Sequence, residues 1–154
     1  MAKDVHGGTI KPQPYIKFKK THPDAVLPSS KRTTDTGYDI TAVEDVFIPA
    51  KSDAVVPTGV TVADVSPDMW YLVLPRSGLG FKSGIQPHLG VIDQPYRGDL
   101  AIKLYNFSSV DYMVKKGDRI AQLAFFPLLR PETAWSEAVA QTDRGAAGFG
   151  DSGR

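Results

Sequence analysis

Proline spacing most constrains the fold of this chain. Pro23, Pro28, Pro49, Pro57, Pro67, Pro75, Pro87 and Pro95 leave few windows long enough for a helix. Each proline lacks the N–H a helix needs and its ring crowds the preceding turn. Between the prolines lie short apolar runs with strand periodicity. Trp70, Leu72 and Leu74 alternate with Tyr71 and Val73, and Leu100, Ile102 and Leu104 with Ala101, Lys103 and Tyr105. The Val- and Thr-rich stretch from Val55 to Val65 breaks at Pro57-Thr58-Gly59, and Ile120 to Phe126 is apolar on nearly both faces, as a central strand would be. Many short strands separated by turn residues predict an all-β jelly roll or β-sandwich. The one stretch suited to a helical turn is Ser77 to Ser83.

The 154 residues suit one domain with a real core, preceded by a polar arm over residues 1–14. The formal charge of +1, with acids and bases interspersed, does not advertise a grip on long nucleic acid. With no cysteine there is no disulfide, thiolate metal site or Cys nucleophile, and His6, His22 and His88 are too scattered for a histidine metal site. No apolar run reaches membrane-spanning length and residues 1–8 lack a signal-peptide core, so an intracellular, cytoplasmic protein is expected.

Four internal segments carry residues suited to chemistry. Pro75-Arg76-Ser77-Gly78-Leu79-Gly80 follows a strand, and side-chain donors beside a helical turn form a phosphate cradle or, alternatively, an ordinary capped connection. Gly90-Val91-Ile92-Asp93 ends an apolar strand on an acid, which either serves as a general base or starts the Gln94-Pro95 turn; Tyr96 offers a flat face nearby. Gln122 sits in an otherwise apolar run, so it either faces a polar site or bonds to a neighbouring strand. Asp118 and Arg119 are expected to pair across the turn before it. Asp39, inside an early strand, either faces a metal-bound water or pairs with an arginine. Trp70 and Trp135 read as core or interface aromatics, and Lys17, Lys19 and Lys20 as a solvated strand face.

The C-terminal run Arg144-Gly145-Ala146-Ala147-Gly148-Phe149-Gly150-Asp151-Ser152-Gly153 cannot nucleate a core, because glycine makes ordering costly and one Phe buries little. It is either an unstructured tail or a flap that orders over a nucleotide, with Arg144 for phosphate and Phe149 for stacking on a base.

Taken in order, Thr36-Gly37-Tyr38-Asp39, Pro75 to Gly80, Gly90 to Asp93 with Tyr96-Arg97-Gly98, Gly117-Asp118-Arg119-Ile120-Ala121-Gln122-Leu123, and the tail resemble the five motifs of the trimeric deoxyuridine triphosphatase (dUTPase) family. The resemblance runs from about Tyr15 to Gly153. It implies a jelly-roll domain over residues 15–137, a closing arm over 138–154, and a homotrimer with sites at subunit boundaries. It also implies hydrolysis of dUTP to dUMP and pyrophosphate with Mg²⁺, which keeps uracil out of DNA and supplies dUMP. By that likeness Asp93 activates the attacking water, and Tyr96 packs under the deoxyribose. Arg76, Ser77, Gly78 and Gln122 hold phosphates, and Asp39 lies near the metal through water. A hairpin from Gly84 to Val91, including Leu89, Gly90 and Val91, reads uracil. Phe149 and Gly150 close on the base, while Arg144 and Ser152 reach the γ-phosphate.

The sequence departs from the family pattern at Thr36, Pro95, Ala147 and Asp151, and in Pro87-His88-Leu89. Asp151 would repel the γ-phosphate unless it points away or meets the metal. Two other readings remain. A dCTP deaminase of the same fold, or a bifunctional relative, would carry Glu where Lys103 stands. A nucleotide-switched protein-binding dUTPase would offer the N-terminal arm or the His88 region to a regulatory partner. No membrane contact or direct nucleic-acid binding is expected.

Overall fold

The computed structural model describes residues 13–148. They form eleven strands and one helix: β1 (Ile16–Lys20), β2 (Tyr38–Thr41), β3 (Val46–Ile48), β4 (Asp53–Val56), β5 (Val60–Val65), β6 (Met69–Leu74), α1 (Ser77–Ser83), β7 (Ile85–Pro87), β8 (Gly90–Ile92), β9 (Ile102–Asn106), β10 (Tyr112–Val114) and β11 (Arg119–Pro127). The all-β jelly roll expected from the proline spacing is the observed architecture, and the helical turn falls on the expected residues. The break at Pro57-Thr58-Gly59 separates β4 from β5, and Gly59 takes a left-handed φ of 65° there.

All strand pairings are antiparallel. One sheet has the order β2-β11-β6-β8, a second β4-β9-β7, and two-stranded ribbons β1-β5 and β10-β3 complete the layers. Strand β11 is central, as its two-faced apolar sequence requires, with β2 on one side and β6 on the other. Period-two burial is plain in β6, where Met69, Tyr71 and Val73 point inward, and in β9, where Ile102 and Leu104 do so. These side chains join Ile40, Ile48, Val56, Ile85, Ile120 and Leu123 in one continuous core.

Some expectations change. The segment from Gly84 to Val91 is not a paired hairpin: β7 pairs with β9 and β8 with β6, so the two strands belong to different sheets. The connection at His88-Leu89 therefore crosses between layers. Trp135 is fully exposed on this chain and has no place in its core, while Trp70 is half-buried and packs on Phe126, with ring centres 5.0 Å apart. After β11, residues 128–148 form no further helix or strand. Among the expected site residues, Phe149, Gly150 and Ser152 lie outside the described residues, as does most of the N-terminal arm.

One core feature carries a stability consequence. Tyr71 is wholly buried, and its hydroxyl has no hydrogen-bond partner among the described residues. Burial raises its pKa above 10.0, with Arg97 opposing the shift. The native state therefore holds this proton more tightly than the unfolded chain, so stability falls as pH rises past 10.0 toward the native value. Tyr71→Phe removes an unsatisfied group whose burial costs roughly 1–3 kcal/mol. The variant is expected to equal or exceed the parent in urea unfolding at neutral pH, and to lose less stability above pH 10.0.

Candidate active site

Asp39 organises the first half of the site. It lies on β2 with its carboxylate largely buried; one oxygen accepts from Arg76 Nε at 2.7 Å and the other from Arg119 Nη1 at 3.1 Å. Arg76 also donates through Nη1 to the Arg119 carbonyl at 3.3 Å. Two guanidinium groups are thus held side by side at the end of β6 and the start of β11, with the arginine pairing foreseen as one of two readings for Asp39. The expected pairing of Asp118 with Arg119 does not form. Asp118 instead caps its own turn, accepting from the Lys115 N–H at 2.9 Å, and Arg119 turns to Asp39.

A bulge explains how Arg119 reaches the site. The β11–β2 register slips between Arg119 and Ala121. In a regular strand residues 119 and 122 would face opposite sides; one extra residue reverses that parity. Arg119 and Gln122 therefore line the same cavity, about 530 Å³ in volume, with Asp39, Arg76, Ser77 and Gly78. Gln122 both faces this polar cavity and bonds to a neighbouring segment, donating to the Pro75 carbonyl at 2.7 Å. Its amide occupies space that only glycine leaves free, since a Cβ on Gly37 would stand 1.7 Å from Gln122 Oε1.

The end of β6 supplies the cradle. Arg76 is the extended N-cap of α1, no side chain caps the helix, and its first turn holds no acid. A Cβ at Gly78 would meet nothing within 4 Å, so the backbone is open to a ligand. Lys31 and Asp35, from the loop before β2, complete the lip of the cavity. Sequence patterns gave no sign of either residue, because the contact depends on how that loop folds back over β2.

Asp93, Tyr96 and the Leu89-Gly90-Val91 segment lie elsewhere on the chain. Asp93 shares a different groove with Trp70, Val91 and Phe126. Its backbone carbonyl, not its carboxylate, closes the turn by accepting from the Tyr96 N–H at 2.9 Å. The loop beyond it is tied by Gln94 Nε2 to the Ser66 carbonyl at 2.8 Å and by Arg97 Nη1 to the Gln94 carbonyl at 2.6 Å. Tyr96 lies against Gly98 and donates its hydroxyl to the Asp99 carbonyl at 3.0 Å. The carboxylate of exposed Asp93 accepts no hydrogen bond among the described residues. Among the described residues strand β8 is an edge strand paired only to β6, which leaves its outer backbone edge open to a ligand.

These halves stand at opposite ends of β6. Ile92 pairs with Tyr71, which sets Asp93 near Trp70, whereas Arg76 follows the far end of the strand. At the rise of an extended strand the two are about 20 Å apart. Arg144, in the last described turn, donates through Nε to the Ala147 carbonyl at 2.7 Å.

The dUTPase family model matches residues 24–153, nearly the whole chain and all of the segments above. The chain belongs to the dUTPase family. It is 41% identical over 140 residues to the deoxyuridine 5'-triphosphate nucleotidohydrolase of Oryza sativa, covering 91% of this chain and 81% of that protein. It is 42% identical over 138 residues to the enzyme of the same name from Paramecium bursaria Chlorella virus 1, covering 90% and 97%. Among solved structures it superposes on the Staphylococcus bacteriophage 80alpha dUTPase with dUPNHPP at a TM-score of 0.83 and 28% identity, covering 91% of this chain and 99% of that one. A dUTPase from phage phi11 of S. aureus, described with a structural Mg(II) ion, superposes at 0.75 and 25% identity, covering 82% and 99%. The enzymatic class of the chain is therefore that of a dUTP diphosphatase.

The Gly37–Gln122 contact gives a direct test. Gly37→Ala forces the Gln122 amide out of its position. The variant is expected to bind a non-hydrolysable dUTP analogue roughly tenfold more weakly, the loss of one charge-assisted hydrogen bond, when titrated calorimetrically.

Proposed function

We propose that this protein hydrolyses dUTP to dUMP and pyrophosphate, with two copies of the chain joining the halves of each site. The observation that carries this reading is the separation along β6: the phosphate-binding arginine and the acid suited to act as base stand about 20 Å apart on one chain. A base must come within hydrogen-bond reach of the water it activates. A second copy docking its Asp93 and Tyr96 against the Arg76 cavity satisfies that requirement, and a homotrimer does so at every boundary. The apolar groove formed by Trp70, Val91, Phe126 and Leu129 beside Asp93 gives such copies a surface to share.

Within the joined site, Arg76, Ser77, Gly78 and Gln122 hold the phosphate chain, and Asp39 fixes the direction of Arg76. The open edge of β8 at Leu89, Gly90 and Val91 meets the uracil edge through backbone groups, and Tyr96 lies under the sugar. Arg144, Phe149, Gly150 and Ser152 close the arm over the nucleotide. Asp93 takes a proton from water attacking the α-phosphorus; the phosphorus–oxygen bond to the leaving pyrophosphate breaks, and no covalent intermediate is required.

Mg²⁺ suits this site as an ion carried by the substrate. Among the described residues no group of three His, Cys, Asp or Glu converges, and both Asp39 oxygens are engaged by arginines. Mg²⁺ commonly keeps its waters and binds through phosphates with one or two carboxylates. Asp39 would touch it through a bound water. When present, the ion neutralises phosphate oxygen charge.

The 80alpha dUTPase is described as controlling transfer of virulence genes, and a switch role in this chain would stand beside hydrolysis. A deaminase would need Glu at position 103, where Lys103 instead pairs with Asp53 at 3.2 Å on the outer face of β9.

Pyrophosphate release with Mg²⁺ is expected from dUTP and not from dCTP, dTTP or UTP. Equal release from dCTP or UTP would remove the assignment. Asp93→Asn is expected to lower kcat at least roughly 100-fold while still binding a non-hydrolysable analogue. Asp93→Asn and Arg76→Ala proteins, unfolded together and refolded, are expected to regain activity that neither shows alone. Failure to regain any would argue against a site shared between copies.

A further inference from the structure

We propose that Lys31 is a further cationic anchor of the substrate, acting on the terminal phosphates of the chain. The proposal rests on the dUTP reading of the Arg76 cavity and adds to it a residue outside the motif segments.

The loop carrying Lys31 is fixed rather than loose. Asp39 donates its N–H to the Ser29 carbonyl at 3.0 Å, Asp35 donates its N–H to the Arg32 carbonyl at 3.0 Å, and the Arg32 N–H donates to Asp35 Oδ2 at 3.2 Å. These bonds hold the loop against β2 and place Lys31 on the cavity wall beside Arg76 and Arg119. The other charges of the wall have partners: Arg76 and Arg119 share Asp39, and Asp35 closes its own loop. Lys31 makes no ion pair or hydrogen bond with any described residue.

Charge balance gives the lysine its role. Without it, the two arginines are matched by Asp35 and Asp39, and the wall is neutral. Lys31 makes it net positive, which favours capture of a polyanionic chain. An ammonium on a flexible stem is a mobile point charge, unlike the two arginines fixed in place by Asp39. It settles where negative charge is densest, and the terminal phosphate carries the most charge of the chain. Lys31 is therefore a binding residue for the pyrophosphate half of the substrate and the product that leaves from it.

The test compares Lys31→Met and Lys31→Arg with the parent protein, after thermal melts establish that all three are folded. Lys31→Met is expected to raise KM for dUTP and the inhibition constant of inorganic pyrophosphate roughly fivefold, the effect of one exposed charge contact. Inhibition by dUMP should be unchanged, kcat little altered, and the dependence of KM on salt shallower. Lys31→Arg should restore most of the loss. Unchanged pyrophosphate inhibition, or equal weakening of dUMP, would overturn the proposal. If the parent itself does not hydrolyse dUTP, the functional reading falls separately. Calorimetric titration of pyrophosphate into parent and Lys31→Met then decides the role of Lys31: weaker binding by the variant supports it and equal binding overturns it.

Discussion

The half-site depends on one carboxylate. Asp39 lies where β2 meets β11, beside the segment that leaves β6 for α1. Its two oxygens take one guanidinium each, Arg76 at 2.7 Å and Arg119 at 3.1 Å. A partly buried acid in this position is costly unless it is paired, and two arginines together would repel unless something lies between them. The arrangement meets both needs and leaves the arginines oriented before substrate arrives. In the proposed reaction, donors preorganised in this way would need no rearrangement as charge develops.

The arrangement exists only because β11 is irregular. Its central position demands apolar residues on both faces, which Ile120, Ala121, Leu123 and Ala124 supply as buried side chains. The bulge after Arg119 lets the same strand present Arg119 and Gln122 to one cavity without disturbing that core. Gly37 across the way is small because the Gln122 amide fills its side-chain space. Backbone irregularity and a missing Cβ thus join to admit polar groups beside an apolar interior.

Antiparallel pairing also divides the chemistry. Because β8 returns along β6, the acid that ends β8 lies at one end of β6 and the arginine that follows β6 lies at the other. The same sheet that fixes both residues keeps them apart, and the proposed catalytic centre, which uses both, would draw on another copy. An apolar groove beside Asp93, lined by Trp70, Val91 and Phe126, is consistent with that need.

Proline spacing and period-two alternation were enough to give the all-β class, the single helical turn at Ser77–Ser83 and the central character of β11, because these follow from local sterics and from which face each side chain must bury. The five motif segments were likewise legible, since they identify residue types at ordered positions. Other features were not. The pairing of β7 with β9 and of β8 with β6, in place of a hairpin, depends on which distant strands compete for each edge. Adjacency in sequence favours a pair between Arg119 and Asp118, yet Arg119 turns to Asp39 through a bulge that no local pattern marks. Lys31 reached the cavity only because its loop folds back over β2. Element types and candidate groups are readable along the chain because short-range sterics and burial periodicity set them. Which of those groups share a cavity follows from strand parity and sheet order, and these are set by contacts between residues far apart along the chain.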